Sequence, residues 1–413
     1  MDIKKIIDKK SKNKELTKQE IQFFVDGYVS GDITDYQASA LLMAIKIFGM
    51  SEKETFALTD AMLHSGEIID LSDLGMVVDK HSTGGISDTT TIALAPICAA
   101  CGIKMLKLSG RGLGFTGGTI DKLEAFDGYN VDISMEKAKD LVKQNGACVI
   151  AATANLAPAD KKLYALRDTT STVESLPLIA SSIMSKKLAS GADAIVLDVK
   201  YGNGAFMKTK KSAEELARLM VKIGQNAGKK VDYTVGDMNE PLGYNIGNRL
   251  EAYEAIELLS GKQGKLRNET LNLASKCIAL DLNIPQTQAL KMATKVVDDG
   301  SALKKLKDMV KAQGGDTKLF KGLGMKPNLI VKATTSGTLK KIDCSELGFL
   351  VGLMGATRQK ITDNIDYKVG VKTFHKLGDT INKDDILFEI YAKDKKQANE
   401  FANKFVQCYH ISQ

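Results

Sequence analysis

Residues 76–91, "MVVDKHSTGGISDTTT", pass from a short apolar run into two serines, four threonines, adjacent glycines, a lysine and a histidine. The apolar start predicts a strand over 76–80, and "TIALAPICAACG" directly after it predicts a helix. "IKMLKL" (103–108) and "ACVIAA" (147–152) are two further strands, and "SMEKAKDLVKQNG" (134–146) is a helix that its final glycine ends. "ADAIVLDV" (192–199) is a strongly apolar strand. Strands alternating with helices imply a sheet that is at least partly parallel, with ligands expected beyond the strand carboxyl ends.

Two polar loops fall at that place. One follows Lys80; the other, "KLSGRGLGFTGGTIDKLE" (107–124), follows Leu108. Glycine lets the main chain come close to a ligand and turn several N–H groups toward one anion. A helix starting near Thr89 or Thr91 adds the positive end of its dipole. A single loop of this kind is equally well a polar turn. Two at adjacent strand ends point to phosphate.

Outward from this centre the character changes. Residues 1–68 read as helices with three capping boxes, "TKQE" (17–20), "TDYQ" (34–37) and "SEKE" (51–54). Residues 158–190 are helical again. The expected organisation is a discontinuous helical domain (1–68 and 158–190) and an α/β domain (74–155 and 191–340). A C-terminal module over 345–413, resembling a lipoyl-type sandwich, completes it. In that module "GFLVGLMG" (348–355) and "YKVGVKTFHKLGDTINKDDILFEIYA" read as short β runs. The fold class is therefore α/β: a small all-helical domain, a larger domain with a mixed, partly parallel sheet, and a β-rich end.

Bulk properties exclude several classes. No apolar run reaches membrane-spanning length, and "MDIKKIIDKKSKNKE" lacks the apolar core of a signal peptide, so a cytoplasmic protein is expected. A net charge of +7 could suggest nucleic acid, but only six of the 57 basic residues are Arg, there is no Trp, and acids are interleaved throughout. No basic stretch alternates with aromatics as a single-strand groove requires. The six cysteines are scattered. Cys98 and Cys101 lie within an apolar helix without a second pair, which favours buried thiols over zinc.

A third stretch has a different chemistry. In "SLPLIASSIMSKKLASG" (175–191), Ile179, Ser182, Ile183 and Lys186 are spaced to share one helix face. Alone, this reads as an amphipathic helix whose lysine reaches water from the core edge. With Tyr164 and Arg167 just upstream, it reads as a pocket with isoleucines for a flat ring and Ser, Lys and Arg for its polar edge.

Taken together, "SGRGLGFTGGTIDKLE", "DKHSTGG", "ADKKLYALRD", "PLIASSIMSKKLA" and "GADAIVLDVK" resemble, in order and spacing, the thymidine and pyrimidine-nucleoside phosphorylases. The likeness runs over nearly the whole chain and is nearest the pyrimidine-nucleoside branch. It implies a homodimeric, cytoplasmic pentosyltransferase of nucleoside salvage, with helical and α/β domains separated by a cleft. It implies phosphate at Lys80, His81, Ser82, Thr91, Lys107, Ser109 and Thr119. The pyrimidine is implied at Arg167, Ser182 and Lys186, with Leu113, Tyr164, Ile179 and Ile183 shaping the pocket. His81, Arg167 and Lys186 are the implied catalytic residues. No organic cofactor is implied, but a monovalent cation, potassium, is, at Ser87, Thr89, Leu242, Asn245 and Glu254.

Three positions depart from the family pattern. Phe115 stands where His is usual, Ser87 replaces a Gly, and "KYGNGAFM" (200–207) carries Tyr201 and Asn203 in place of smaller residues. Two rival readings stand beside the phosphorylase. An anthranilate-type phosphoribosyltransferase shares the architecture but needs acidic residues to hold magnesium and pyrophosphate. A non-catalytic nucleotide-binding protein explains the loops and not the base pocket. Preference among uridine, deoxyuridine and thymidine is not legible, since one methyl or hydroxyl shifts selectivity by only about 1–3 kcal/mol.

Overall fold

The computed structural model describes residues 1–112, 117–153, 155–358, 360 and 363–412. The chain divides into two compact units. One comprises Met1–His81, Ala152–Leu197 and Glu214–Tyr233, the other Ser82–Ala151, Asp198–Ala213 and Thr234–Gln413.

The chain opens with α1 (Ile3–Ser11), α2 (Lys18–Ser30), α3 (Asp35–Phe48) and α4 (Glu52–Leu63). All three capping boxes form, with Glu20, Gln37 and Glu54 each reaching back to its N-cap. Glu54 also accepts from Lys10 at 2.7 Å and from the Leu16 amide at 2.8 Å, which ties the end of α1 to the start of α4. Phe24, Tyr28, Leu41, Leu42, Ile45 and Leu58 fill the core of this bundle.

The chain continues with β1 (Val78–Ser82), α5 (Thr90–Ala100), β2 (Met105–Ser109), α6 (Thr119–Leu123), α7 (Met135–Asn145) and β3 (Ala147–Ala151). Then come α8 (Pro158–Thr169), α9 (Leu176–Ala189), β4 (Ala194–Tyr201), α10 (Lys210–Asn226) and β5 (Lys230–Asp237). Leu163 of α8 and Leu178 of α9 lie in the same apolar core as α2–α4. The strand order β1-β4-β5 makes one sheet; β2 and β3 pair in parallel as another, with Leu106 opposite Cys148 and Ser109 opposite Ala151. The expected parallel pairing is thus present, shared between two small sheets rather than one.

β1 does not stop at Lys80. It runs through His81 and Ser82, and the Thr83 amide still bonds Asp198 O at 3.0 Å. Main-chain pairing carries the strand past the end of its apolar run.

Next come β6 (Asn245–Ile246), α11 (Asn248–Leu259), α12 (Lys265–Leu282), α13 (Gln286–Asp298) and α14 (Ser301–Ala312). All four of these helices pack on α5, nearly all of which is buried. Cys98 on α5 is buried, as is Cys277 on α12, and all six cysteines are free thiols. No described helix is long and apolar enough to cross a membrane.

The last segment holds β7 (Leu329–Lys332), β8 (Gly337–Ile342), α15 (Cys344–Val351), β9 (Gly370–Thr373), β10 (Thr380–Ile381), β11 (Ile386–Tyr391), α16 (Lys395–Gln407) and β12 (Tyr409–Ser412). Its sheets are ordered β10-β8-β12 and β6-β9-β11-β7. One expectation fails here: "GFLVGLMG" is not a β run but α15 and the helical turn that follows it through Ala356. The buried residues Leu347, Leu350, Val351 and Met354 are spaced at the helical period. A short apolar run cannot by itself tell a buried strand from a buried helix.

Candidate active site

In the second unit the loop from β1 to α5 is closed by its own side chains. Ser82 Oγ donates to Asp88 Oδ2 at 2.6 Å and accepts from the Gly84 amide at 3.1 Å. Asp88 Oδ1 accepts from the amide and the hydroxyl of Thr90, at 3.2 and 2.6 Å, at the first turn of α5. Thr83 Oγ1 accepts from the Lys200 amide at 2.8 Å. Thr91 is buried one residue into the helix. Lys80 is fully buried in β1, next to a half-buried His81.

The loop from β2 to α6 is built the same way. Asp121 Oδ2 accepts from the amides of Gly112 and Gly118, at 2.5 and 3.0 Å, so one carboxylate clasps both ends of the loop. Gly118 is required, since a β-carbon there would run into the main chain of Arg111 and Gly112. Arg111 forms a fork with Glu124, at 2.5 and 2.8 Å, and Tyr367 donates to the same carboxylate at 2.9 Å. Burial raises the Glu124 carboxyl, but the bonds from Arg111 and Tyr367 outweigh it and hold the group below its ordinary range. Lys107 is buried, Ser109 ends β2 and Thr119 opens α6. Leu113 and Phe115 lie outside the described residues.

One residue joins the loops, and the sequence reading passes over it. Lys122 of α6 donates to Asp88 O at 2.8 Å and pairs with Glu251 of α11 at 2.7 Å. Both side chains of the pair are 4 % exposed. Burial raises the Glu251 carboxyl, and Lys122 pulls it back. The two loops are therefore parts of one construction.

Four of the expected cation residues, Ser87, Leu242, Asn245 and Glu254, converge in this unit. Ser87 has φ +58°, the left-handed region, which accounts for the family's Gly there. Its hydroxyl donates to Asn245 O at 2.6 Å and accepts from the Gly243 amide at 3.1 Å. Leu242 N–H bonds Ile86 O at 3.2 Å. Glu254 accepts from the amides of Tyr244 and Asn245, at 2.8 and 3.0 Å, while burial raises its carboxyl. Thr89 Oγ1 and Asn245 Oδ1 are buried without a hydrogen-bond partner among the described residues. The orphaned Asn245 oxygen, on a residue whose amide bonds the buried Glu254 carboxylate, fits a cation. Lys376 donates to the carbonyls of Pro241 and Gly243 in the same turn, and burial pushes its ammonium down to about 8.

The loop at 200–207 has a structural account. Asn203 Oδ1 accepts from the Cys344 amide at 2.8 Å, and its own amide bonds Asn239 Oδ1 at 3.1 Å, which welds the loop to the start of α15. Tyr201 bonds Asp237.

The first unit gathers the remaining residues on α8 and α9. Arg167 is buried, and its guanidinium donates to the carbonyls of Thr172, Leu178 and Val173 at 3.3, 3.1 and 2.8 Å. Desolvation lowers its pKa, with Asp160 opposing. The Tyr164 ring lies 5.9 Å from the Arg167 guanidinium. On α9 the expected face holds: Ile179 and Ser182 are buried, and Ile183 and Lys186 are part-exposed. Lys186 Nζ donates to Ser182 Oγ at 3.2 Å and to Asp160 Oδ2. Asp160 is the second residue the sequence reading passes over; nothing local marks it, because its partner is a helix away.

Comparison with known proteins gives matches along nearly the whole chain. Residues 74–303 match the glycosyl transferase family a/b domain, residues 4–66 its helical bundle domain, and residues 338–412 the pyrimidine nucleoside phosphorylase C-terminal domain. The chain is 49% identical to a pyrimidine-nucleoside phosphorylase of Staphylococcus haemolyticus, over 98% of this chain and 95% of that one. It is 50% identical to the Bacillus subtilis pyrimidine-nucleoside phosphorylase, over 94% of this chain and 91% of that one. Among solved structures, the anthranilate phosphoribosyltransferase of Thermus thermophilus aligns with a TM-score of 0.60 at 18% identity, covering 76% of this chain and 99% of that one. That likeness concerns the fold alone. By family-model coverage and by identity along nearly its whole length, the chain belongs to the pyrimidine-nucleoside phosphorylases of this glycosyl transferase family.

Proposed function

We propose that the protein catalyses reversible phosphorolysis of pyrimidine nucleosides, namely uridine, deoxyuridine and thymidine, giving free base and (deoxy)ribose 1-phosphate. The observation that carries this reading is the set Arg167, Ser182 and Lys186, held together on α8 and α9 in a chain half identical to curated pyrimidine-nucleoside phosphorylases. Such a set gives donors to a pyrimidine's oxygens and ring nitrogen. Neither rival reading accounts for it.

In the reaction a phosphate oxygen bonds the anomeric carbon as the glycosidic C–N bond breaks. The electron pair leaves on the base. Lys80, His81, Ser82, Thr91, Lys107, Ser109 and Thr119 hold the phosphate, and Lys122 keeps their loops in register. Arg167 has five N–H donors and commits three to main-chain carbonyls among the described residues, leaving two for the base. Lys186 balances the charge developing on the departing pyrimidine, and His81 donates the proton that the free base acquires. Ser87, Thr89, Leu242, Asn245 and Glu254 would hold a potassium ion, whose charge would offset the buried Glu254 carboxylate. No organic cofactor takes part.

The working form is a cytoplasmic homodimer. Tyr36, Met43 and Ile47 form an exposed apolar stripe on α3, with Ile47 66 % exposed, and a second copy covers it. Light scattering of the parent and of Ile47→Glu checks this. For the reaction, base release from uridine is measured with and without phosphate. Release only with phosphate or arsenate is expected; equal release in phosphate-free buffer would make the enzyme a hydrolase.

A further inference from the structure

In α2, α3 and α4 the third helical residue reaches back to its own N-cap. In α8 that position is Asp160, and it does not. The N-cap is Ala157, with φ +45° and no side-chain cap, and the amide of Ala159 is taken instead by Ser65 Oγ at 3.1 Å. Asp160 turns away from its helix end to bond Lys186, 26 residues on. Its second oxygen, Oδ1, is buried without a hydrogen-bond partner among the described residues. Placing an ionisable carboxylate 2 % exposed, with an oxygen unbonded, costs free energy that a capping role would have avoided.

Lys186 explains the arrangement. An ammonium has three N–H donors. Asp160 takes one and Ser182 Oγ a second, which fixes the direction of the third. An unrestrained lysine side chain 43 % exposed would instead sample many rotamers. The α8 N-terminus favours negative charge at the Asp160 position.

We propose that Asp160 is the positioning residue of the base half: it fixes the Lys186 ammonium so that its remaining N–H meets the departing pyrimidine. This rests on the reading of α8 and α9 as the base-binding half. Pre-set direction matters most in the transition state, so its loss falls on kcat more than on KM.

The test is a double-mutant cycle of Asp160→Asn and Lys186→Met, assayed by phosphorolysis of uridine and 5-fluorouridine. Asp160→Asn is expected to lower kcat for uridine about 10- to 100-fold, the scale for removing a group that orients a functional side chain. The loss should be smaller for 5-fluorouridine, whose base leaves as a more stable anion. On the Lys186→Met background, Asp160→Asn should change kcat less than about twofold, because the two act as one unit. Should Asn at 160 impair folding, Asp160→Glu, which keeps the charge and displaces it, enters the same cycle with the same expectations. Additive losses, or equal losses with both nucleosides, overturn the proposal alone. Near-normal turnover of Lys186→Met overturns the base-half reading and this proposal with it.

Discussion

The proposed phosphate half and the proposed base half are built on opposite plans. Around the glycine loops, main-chain amides and short hydroxyls do the work, and the acids present are clasps: Asp88, Asp121 and Glu251 each hold a backbone group or a buried lysine. On α8 and α9 long side chains reach out from regular helices, and the acid Asp160 holds a lysine that is part-exposed. A phosphate is the same anion in every turnover, so a rigid, buried cradle suits it. A pyrimidine changes charge during the reaction, so its partner has to be mobile enough to reach it and restrained enough to point correctly.

The widest separation between the plans should come from Lys122. Lys122→Met leaves Glu251 buried without its partner, and breaking such a pair costs about 3–5 kcal/mol. Urea unfolding should show that loss, together with weakened phosphate binding. A variant as stable as the parent would mean that the loops do not depend on the pair. Lys186→Met should shift the balance toward activity: kcat/KM for nucleoside falls by about two to three decades, with a smaller stability loss beside it, because Asp160 stays buried without its part-exposed partner. A large melting shift with near-normal turnover would make Lys186 a core-edge support, and the contrast between the halves would collapse.

Arg167 lies between these extremes. Arg167→Lys loses the fork to Thr172, Val173 and Leu178, so stability and activity should fall together, with about 1–3 kcal/mol for the buried carbonyls left unsatisfied. An activity loss without any change in unfolding would place the whole effect at the substrate. The smallest effect belongs to the cation. Potassium should stimulate modestly, EDTA should do nothing, and Thr89→Val should remove the potassium response. Complete inactivation by EDTA would instead favour magnesium chemistry.

These contrasts also explain what could be read from the amino-acid order. Capping boxes are local, with their partners within a few residues, and Thr17, Thr34 and Ser51 read correctly for that reason. The α9 face is legible because helical spacing dictates it. Asp160 and Lys122 are not, because each takes its meaning from a residue on another element. The misread run at 348–355 fails for a different cause: its exposed positions, Phe349 and Leu353, are as apolar as its buried ones, so no polar contrast reveals the period.

The bond from Lys122 to Asp88 has one more consequence, for hydrogen exchange. If a single buried ion pair holds both glycine loops, neither can open while the other stays shut. Their amides then belong to one cooperative opening unit. The protected N–H groups of Gly84 and Thr90 in one loop, and of Gly112 and Gly118 in the other, should exchange with a common opening free energy. In Lys122→Met they should separate into two groups with different rates.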